Sequence, residues 1–441
     1  MSIKYLPYDR HALKGDPLVL HVGKYRIEYL AFCHEGKEDQ TPAIVVGGAF
    51  QNFTSYKPTV EAFLEDRPCI MIDLPSLGNN EQLAPELSGE GMAELLEGFF
   101  EQLEIKQAYL AGLSLGSIVS ITFAANNPHL IKRLIIAGVI PEPRESWMLG
   151  MQESMRAFQS GAYFELAQAI VLSLMNYARL DKTKMSPTAQ RMFIMQLANP
   201  NTNQAQRFEE NARRLIESRG KLKYPECEVL VTTGEYDSFT LPFENAEFAA
   251  RCPNSTMVLV ENADHLVQLQ RRKTAVALFK SWVNEKPVDN IPGTRLVPRD
   301  QLLSIERRTM PRHIPNFKDA TIDTQSTVET ARKVIADKGI NFSAEVEIVD
   351  VSFFGALLKL KEPLDSIEEY QFDLTLHMSQ PEVSLDLLIF EYQPEAGLIR
   401  CYFRHSNVPV AQKWAEQLKD QSLFTEKEAS QRKPAQQIES A

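Results

Sequence analysis

The sequence predicts an α/β domain with a mostly parallel sheet, followed by an all-β barrel domain. Up to about residue 284, short apolar runs alternate with amphipathic segments, a pattern typical of a parallel sheet with helices on both faces. Residues 285–299 contain three prolines and a glycine and break every periodicity, which predicts a linker. Beyond it, strand-like runs follow one another with short turns, as in a compact barrel. The length of 441 residues also exceeds one ordinary core.

The first predicted domain covers residues 1–284. Residues 17–33 alternate loosely around a glycine and predict two antiparallel strands. Short apolar runs predict buried strands, and helical periodicity predicts the intervening helices. The strands are expected at 43–46, 68–73, 130–137, 228–233 and 256–260, with a further one that begins at 108 and runs into the stretch 112–116. The helices are expected at 92–103, 117–125 and 244–251, with a last one ending near 283.

Residues 141–220 differ from the rest of this domain. Helical segments rich in methionine and aromatic residues succeed one another there without a strand run. An all-helical insert between two sheet strands predicts a cap over an active site, since binding elements are often insertions on rigid scaffolds. The alternative is a set of additional packing helices with an adaptable core.

The second predicted domain covers residues 300–420. Strand-like runs at 344–360, 370–377, 383–392 and 397–405 precede a closing helix at 410–418. The last stretch, 421–441, is rich in Lys, Glu, Gln and Ser, which predicts a disordered tail.

Composition limits the classes of function. The net charge of −11 argues against general DNA or RNA binding. The five cysteines are scattered and form no C-x-x-C pair, so neither a metal site nor a disulfide framework is predicted. The N-terminus has no uninterrupted apolar stretch and no run reaches transmembrane length, which predicts a cytoplasmic protein without an integral membrane segment.

The stretch that organises the first domain is Gly112-Leu-Ser-Leu-Gly116, which ends an apolar run and precedes a helix-like segment. A serine on such a sharp strand–turn–helix projects its hydroxyl above the sheet, while the glycines let neighbouring backbones approach closely. The pattern predicts Ser114 as a nucleophile. A simple Ser/Gly turn is the alternative.

A serine needs a base to take its proton, and the base needs an acid to orient it. This fold expects the acid and then the base, each beyond the carboxyl end of a later strand. Asp237 lies four residues past the strand 228–233, and His265 lies five past the strand 256–260. We therefore predict Asp237 and His265 as partners of Ser114, with Glu142 as the fallback acid.

The oxyanion hole is predicted from two backbone N–H groups, those of Leu115 and Ala49. Leu115 follows the nucleophile, and Ala49 lies in the loop after the strand 43–46. The Gly47-Gly48 pair before Ala49 is also compatible with a plain strand-ending turn.

Residues 17–284 resemble the α/β-hydrolase superfamily, and three stretches are similar to the bacterial 3-hydroxyacyl-ACP O-acyltransferases and thioesterases of rhamnolipid and polyhydroxyalkanoate synthesis. These stretches are Val46-Gly-Gly-Ala-Phe50, Ile72-Asp-Leu-Pro-Ser-Leu-Gly78 and Ala263-Asp-His265. The resemblance implies a hydroxyacyl ester or thioester substrate, in particular 3-hydroxyacyl-ACP. The stretch Gly112-Leu-Ser-Leu-Gly116 lacks the tryptophan usual in that family, which leaves the acyl acceptor and the acyl chain length open. Asp73 is expected to support its loop, or to be a plain turn aspartate.

An acyl carrier protein is acidic, so this substrate implies a basic landing surface. The helical segment offers arginines and lysines, although charged residues on helices are usually a solvated face. The candidates are Arg144, Arg156, Arg179, Lys182, Lys184, Arg213 and Arg214.

A second motif pair follows the linker. Arg307-Arg308-Thr-Met-Pro-Arg312 contains R-x-x-x-R, and Asp350-Val-Ser-Phe-Phe-Gly355 has the form D-x-S-x-x-G. Together they resemble the PilZ domain, over residues 300–420, which implies binding of cyclic di-GMP as a regulatory ligand. Surface arginines near a β-turn are the alternative.

On this resemblance Arg308 and Arg312 are the principal ligands, with Arg307 as a helper. Arginine stacks on purines and matches phosphate or guanine acceptors with its donor fork. A carboxylate at Asp350 can accept from guanine N–H groups, Ser352 can donate to phosphate, and the glycine permits close approach.

The leading hypothesis is a serine-dependent acyl hydrolase or acyltransferase that needs no catalytic cofactor and carries a cyclic di-GMP sensor. One alternative is a non-catalytic cyclic di-GMP receptor that uses the hydrolase fold as a scaffold. Another is a simple carboxylesterase or lipase. The acceptor, the oligomeric state and the sign of regulation stay open.

Overall fold

The computed structural model describes residues 3–9, 11–199, 203–324, 342–365, 367, 370 and 374–423. The chain divides into two compact units that each draw on separate stretches of sequence. The first unit comprises Met1–Pro143, Lys182–Lys184 and Asn201–Thr309. The second comprises Arg144–Asp181, Met185–Pro200 and Met310–Ala441.

The first unit is built on a nine-stranded sheet in the order β1-β2-β4-β3-β5-β6-β7-β8-β9. Strands β3 to β8 pair in parallel, whereas β1, β2 and β9 pair antiparallel at the edges. The predicted mostly parallel sheet is thereby confirmed. The strands are β1 Leu18–Val22, β2 Tyr25–Phe32, β3 Ala43–Val46, β4 Cys69–Asp73, β5 Ala108–Leu113, β6 Ile131–Ala137, β7 Glu228–Gly234, β8 Ser255–Val260 and β9 Thr294–Val297.

The central strands are apolar along their whole length because helices cover both faces of a parallel sheet. All residues of β3, β4 and β5 are buried. The helices of this unit are α1 Lys57–Leu64, α2 Gly89–Gln102, α3 Leu115–Asn126, α8 Gln204–Glu217, α9 Pro242–Arg251, α10 Val267–Gln270 and α11 Arg272–Val283.

The edge strand β9 lies inside the segment predicted as a linker. Its residues pair antiparallel with β8, from Met257 opposite Val297 to Val260 opposite Thr294. A four-residue strand between prolines has too few alternations to produce a periodic signal, which explains why the sequence pattern did not reveal it.

The second unit contains the predicted all-β barrel. Six strands close on themselves in the order β11-β14-β15-β16-β13-β12, since β11 also pairs with β12, and β10 and β17 extend from β12. Every pairing in this sheet is antiparallel. The strands are β10 His313–Ile314, β11 Asp319–Asp323, β12 Ser343–Ser352, β13 Gly355–Leu360, β14 Leu374–Ser379, β15 Glu382–Gln393, β16 Leu398–Arg404 and β17 Ser422–Leu423.

Alternating residues fill the barrel interior, as the period of a strand requires. Leu374, Leu376 and Met378 of β14 are buried, and helix α12 (Val408–Lys419) buries Trp414 completely. Strand β17 occupies the start of the segment predicted as a tail, while residues 424–441 of that segment lie outside the described residues.

The second unit also includes most of the helices predicted as a cap. These are α4 Glu145–Gln159, α5 Tyr163–Leu174 and α7 Pro187–Leu197, whereas α6 Leu180–Thr183 straddles the boundary between units. Helix α8, the last of the predicted cap segments, belongs to the first unit.

Helices α4 and α5 pack on the outer face of the barrel through polar and aromatic contacts. The side chain of Gln168 donates to the carbonyl of Ser406 at 2.8 Å. Just beyond the end of α5, the ring of Tyr177 stacks on Phe353 with centroids 5.2 Å apart. Helices and barrel therefore share one packed interior.

No helix in the part of the chain that the structure describes is both long enough and apolar enough to span a membrane.

Candidate active site

The bend between β5 and α3 holds Ser114 in an unusual backbone conformation. Its φ is 49° and its ψ is −113°, outside the regions that non-glycine residues normally occupy. Such strain persists only where the surroundings fix it, and it is frequent at catalytic positions. The N–H of Ser114 donates to the carbonyl of Ala137 at 2.7 Å, which ties the bend to the neighbouring strand.

The two glycines of the motif are required by close packing. A Cβ on Gly116 would lie 2.4 Å from the carbonyl oxygen of Val46, and one on Gly112 would lie 2.7 Å from the Ser120 side chain. Helix α3 thus approaches the end of β3 more closely than any other residue would permit. The predicted role of these glycines is confirmed by this packing.

The three side chains predicted as catalytic form a continuous hydrogen-bonded chain. Ser114 Oγ lies 3.0 Å from His265 Nε2. On the other side of the ring, His265 Nδ1 lies 2.9 Å from Asp237 Oδ2. Each residue follows the carboxyl end of a parallel strand, so the three meet at one edge of the sheet.

Asp237 is buried and surrounded by donors. The hydroxyls of Thr233 and Thr240 each donate to Oδ2 at 2.6 Å. The backbone N–H groups of Phe239 and Thr240 donate to Oδ1 at 2.9 and 2.8 Å. The carboxylate is therefore held in one orientation toward His265, and no sequence signal identified the two threonines.

The electrostatics of the pair favour the charged states. Burial would raise the pKa of Asp237, but the charge and hydrogen bond of His265, together with both threonines, hold it below its usual value. Burial alone would lower the pKa of His265. The charge and hydrogen bond of the Asp237 carboxylate have the larger effect, so the pKa of His265 is raised. An imidazole with a carboxylate behind it is suited to accept a proton from a hydroxyl.

The loop after β3 contains Ala49, the predicted oxyanion donor. A Cβ on Gly48 would lie 3.0 Å from the Cβ of Ser114, so this loop runs directly beside the nucleophile. The N–H of Gly48 already donates to Gln51 Oε1 at 2.8 Å, which leaves the next residue, Ala49, as the donor expected there. Leu115 is the first residue of α3, where N–H groups have no acceptor within the helix.

Helix α8 covers this loop. Phe208 stacks on Phe50 with ring centroids 5.3 Å apart. Between them and the segment after β4 is a small cavity of about 10 Å³, lined by Ala49, Phe50, Ser76, Leu77, Gly78, Gln204, Arg207, Phe208 and Asn211. Space of this size accommodates about one water molecule.

Asp73 supports the loop that follows it, in line with the expectation from sequence. Its carboxylate accepts the N–H of Asn79 at 2.9 Å, and a Cβ on Gly78 would fall 2.0 Å from the carboxylate. Burial raises the pKa of Asp73 to about 7. Arg207 from α8 clamps the same loop by donating to the carbonyls of Gly78 and Asn80, each at 2.5 Å.

Arg214, predicted as part of a basic landing surface, is buried, so that prediction is wrong for this residue. Its guanidinium donates to the carbonyl of Leu87 at 2.7 Å and lies 3.7 Å from Glu210. Arg213 pairs with Glu217 at 2.6 Å, and Arg156 pairs with Glu153 at 3.0 Å. Amphipathic periodicity placed these arginines on a helix but did not indicate which side faces the protein interior.

Glu142, the fallback acid, is directed elsewhere. It is exposed and lies 3.5 Å from the guanidinium of Arg251. Asp237 occupies the acid position next to His265.

The residues of the second motif pair are distributed over both units. The last segment of the first unit, which ends at Thr309, contains Arg307 and Arg308. There, Arg307 lies over the ring of Phe243 at 4.6 Å, and the N–H of Arg308 donates to the side chain of Glu306. Arg312 belongs to the second unit, and its guanidinium lies 3.5 Å from Asp350, which is fully buried.

The D-x-S-x-x-G stretch forms the hairpin between β12 and β13. Ser352 pairs with Gly355 across the turn, and its hydroxyl lies 3.3 Å from the carbonyl of Gly355. A Cβ on Gly355 would lie 2.5 Å from the carbonyl of Cys401. Contact with the neighbouring strand is therefore sufficient to require this glycine.

Comparison with known proteins identifies the fold of the stretch that contains the predicted triad. Over residues 42–271 the chain matches the family described as the alpha/beta hydrolase fold. It is 19% identical to MGS-M2, an alpha/beta hydrolase from a deep-sea metagenome library, with a TM-score of 0.52 over 61% of this chain and 98% of that one. For the enol-lactonase of Burkholderia xenovorans, the identity is 18% and the TM-score 0.50, over 60% and 98% of the chains. At such identities the likeness concerns the fold alone.

Among relatives of assigned activity, the chain is 20% identical over 252 residues to the (E)-2-((N-methylformamido)methylene)succinate hydrolase of Acinetobacter baylyi, covering 56% of this chain and 91% of that protein. It is 22% identical over 246 residues to carboxylesterase YbfK of Bacillus subtilis, covering 54% and 78%. It is also 27% identical over 127 residues to the poly(3-hydroxyalkanoate) depolymerase of Ectopseudomonas oleovorans, covering 28% and 45%.

Proposed function

This chain belongs to the alpha/beta hydrolase fold family, and from that premise we propose that it is a serine esterase or thioesterase that cleaves an acyl bond through Ser114. The observation that carries the proposal is the chain of hydrogen bonds from Ser114 through His265 to Asp237. The hydrolases and the carboxylesterase to which the sequence is similar agree with this class of reaction.

In the proposed reaction, His265 Nε2 accepts the proton of Ser114 Oγ as that oxygen attacks the substrate carbonyl carbon. Asp237 stabilises the imidazolium that results. The carbonyl oxygen becomes an oxyanion that the N–H groups of Leu115 and Ala49 stabilise. The imidazolium then protonates the departing alcohol or thiol, which leaves an acyl ester on Ser114. Water or another hydroxyl attacks this ester with His265 again as the base, and the serine is regenerated.

Replacement of the nucleophile tests this proposal. We expect Ser114→Ala to abolish labelling by a fluorophosphonate probe and to reduce turnover of p-nitrophenyl acyl esters by about 10⁶-fold, as removal of a triad serine does elsewhere. Labelling at the wild-type level in this variant would reject the assignment and leave the hydrolase fold as a scaffold only.

The barrel supplies a matched control. There, His377 contacts Ser384 at 2.8 Å and Asp323 at 3.0 Å, which repeats the residue types of a triad without the strained bend or adjacent helix N-terminus. Ser384→Ala is expected to retain full labelling and turnover. Loss of labelling in Ser384→Ala alone would move the nucleophile to the barrel.

For the acyl group we propose a 3-hydroxyacyl chain. The similarity to a poly(3-hydroxyalkanoate) depolymerase supports it, together with the motif resemblance noted in the sequence. A comparison of 3-hydroxyacyl-ACP, acyl-CoA and p-nitrophenyl esters of the same chain length separates the alternatives. Equal kcat/KM with and without the 3-hydroxyl would contradict this choice, whatever the result for Ser114.

We further propose that cyclic di-GMP binds to the second unit and regulates the enzyme. The closed six-stranded barrel and the contact of Arg312 with the buried Asp350 support the proposal, because a guanine base can exploit both a cation and a carboxylate acceptor. Ser352 is the further expected ligand in this unit. Regulation requires that the ligand bind one conformation of the protein more tightly than another.

Titration calorimetry with cyclic di-GMP tests binding. We expect Arg312→Ala to weaken it at least about tenfold, since a hydrogen bond to a charged group contributes roughly 1.5–3 kcal/mol. Arg400→Ala is the matched control, because Arg400 is an exposed barrel arginine paired with Glu391 at 2.9 Å, and it is expected to bind normally. No heat with the wild-type protein, or equal affinity in Arg312→Ala, would reject the site.

A further inference from the structure

The second unit contains a cavity of about 330 Å³ between the helices α4 and α5 and the outer face of the barrel. Ligand sites generally occupy about 300–1,000 Å³, so the cavity is large enough for a small molecule. None of its lining residues belongs to the hydrogen-bonded chain of Ser114. It is therefore a separate feature from the site of the proposed reaction.

The cavity exists because the facing helix surfaces carry small residues. Gly150, Ser154 and Ala157 line it from α4, and Ala169 and Ser173 line it from α5. A Cβ on Gly150 would have its nearest neighbour, Tyr402 Cε1, at 4.0 Å. Larger side chains at these positions would close the space.

The walls between these small residues are apolar. Met151 comes from α4, and Leu166 and Ile170 come from α5. The barrel contributes Leu388 and the parallel rings of Phe354 and Tyr402, whose centroids are 5.7 Å apart.

The serine hydroxyls that α4 and α5 contribute to the lining donate to carbonyls of their own helix. Ser154 donates to the carbonyl of Gly150 at 2.9 Å, Ser160 to that of Ala157 at 3.0 Å, and Ser173 to that of Ile170 at 2.7 Å. His405 likewise uses Nε2 on the carbonyl of Phe353 at 2.7 Å. A ligand in this cavity thus meets few donors and gains mainly from apolar contact.

The charged lining residues neutralise one another. Arg404 forms ion pairs with Glu153 and with Asp386, the latter at 2.7 Å, and Arg156 completes the set at 3.0 Å from Glu153. Glu165 adds a further negative charge to the lining. The two glutamates and two arginines of the lining sum to zero charge, and both arginines are already paired with carboxylates, so the lining offers little to attract an anionic group.

From this geometry we propose that the cavity binds the alkyl chain of a neutral lipid, such as a fatty alcohol or an acyl ester. An alkyl chain would make van der Waals contacts with the apolar walls. Water is the weaker occupant, because an apolar cavity offers it few hydrogen-bond partners. The inference goes beyond the proposed catalytic function and does not depend on it.

The test is calorimetric titration of the full-length Ser114→Ala protein with 1-alkanols from hexanol to hexadecanol. The nucleophile is replaced so that turnover plays no part. We expect the affinity to rise roughly threefold to fourfold with each added methylene, the fold-change that corresponds to burial of one CH₂. The affinity is expected to stop increasing at the alkanol chain length that fills the cavity. The alkanoate of the same length is expected to bind more weakly than the alkanol.

Two substitutions that fill the cavity, each introduced into the Ser114→Ala protein, locate the site. Ala169→Phe and Gly150→Leu are expected to weaken binding at least about tenfold, or to end the rise at a shorter chain, because both add bulk inside the walls. Phe164→Ala is the control. Phe164 lies on α5, as Ala169 does, but it is half-exposed and does not line the cavity. It is expected to bind like the parent protein.

Unchanged binding in both filled variants, or loss of binding in Phe164→Ala, would overturn the proposal in favour of adsorption to the surface. An affinity that does not depend on chain length, or the absence of heat with every alkanol, would also overturn it. Should either filled variant unfold, photolabelling of the parent protein with a diazirine alkanol decides. Labels in α4, α5, strands β15 and β16, or the lining residues Phe354, His405 and Ser406 support the cavity, and labels confined to other segments reject it.

Discussion

At the scale of single residues, Asp237 is the side chain on which the proposed chemistry depends. It is buried, and four donors hold its oxygens. Its charge raises the pKa of His265, and its hydrogen bond places the proton on Nδ1, so that Nε2 faces Ser114 as an acceptor.

This arrangement predicts a particular pH dependence. His265 must be neutral to accept the proton of Ser114, and its pKa is raised. The acid limb of kcat/KM is therefore expected above about 6.5, the value of an ordinary histidine. In Asp237→Asn the raising charge is lost, so the limb should move to lower pH while kcat falls about 10⁴-fold.

The exposed Glu142 provides the control for this measurement. Glu142→Gln is expected to leave both the position of the acid limb and kcat unchanged, because its partner is Arg251. An unshifted limb in Asp237→Asn, or a large loss in Glu142→Gln, would show that Asp237 is not the acid behind His265.

The positions of these residues could be predicted from the sequence because each follows a recognisable apolar strand and the order along the chain is informative. Thr233 and Thr240, which hold Asp237, could not be predicted in this way. A threonine at a strand end has many structural uses, and only the folded loop brings both hydroxyls to one oxygen.

At the scale of elements, the packing of α3 against the end of β3 determines where Ser114 lies. We expect Gly116→Ala to lower the free energy of unfolding by about 1–3 kcal/mol, the usual cost of forcing extra volume into packed structure. The added Cβ would lie 2.4 and 2.6 Å from the carbonyl oxygens of Val46 and Gly47. Urea denaturation measures the change, and activity should fall with it because the bend must shift.

Gly150→Ala is the matched substitution in another helix. Its Cβ would meet nothing nearer than 4.0 Å, and alanine is favoured over glycine within a helix by about 0.5–1 kcal/mol. We expect this variant to be more stable than the wild type. Equal effects of the two substitutions would contradict the packing argument.

Elements with long periodic runs were predicted close to their observed bounds, such as α2 and β6. Three short strands were not predicted: β10 and β17 have two residues each and β9 has four, whereas the equally short β3 was predicted because all its residues are apolar. Their formation depends on a neighbouring strand with free backbone groups, and local sequence carries no information about that neighbour.

At the scale of the whole molecule, a group of buried ion pairs joins α4 to the barrel. Arg404 is nearly buried and contacts both Glu153 and Asp386. Burial lowers its pKa to about 10, so it remains charged at neutral pH. Removal of one partner from such a group leaves buried charge uncompensated.

We expect Arg404→Met to lower the free energy of unfolding by about 3–5 kcal/mol, the typical cost of breaking a buried pair. Arg400→Met on the same strand removes an exposed pair with Glu391 and is expected to cost no more than about 1 kcal/mol. Denaturation curves of the two variants give the comparison. A cost for Arg404→Met as small as that for Arg400→Met would mean that the buried pairs do not stabilise the second unit.

The sequence indicated two domains in succession, but it could not indicate that α4, α5 and α7 form one compact unit with strands far along the chain. Periodicity identifies which side of a helix is apolar and does not identify the surface that covers it. The contact of Glu153 with Arg404 joins residues 251 positions apart, and nothing local to either residue reveals it.

Because the second unit is formed from separate stretches of sequence, it has a consequence for folding during synthesis on the ribosome. Helices α4, α5 and α7 are synthesised well before the barrel strands with which they form one compact unit. When these helices emerge from the ribosome, the strands that cover their apolar faces have not yet been synthesised, so those faces stay exposed while the intervening segment is translated. Chaperones that hold nascent helices are thus expected to associate with this stretch, and a gene truncated after the hydrolase portion would encode helices with nothing to cover them.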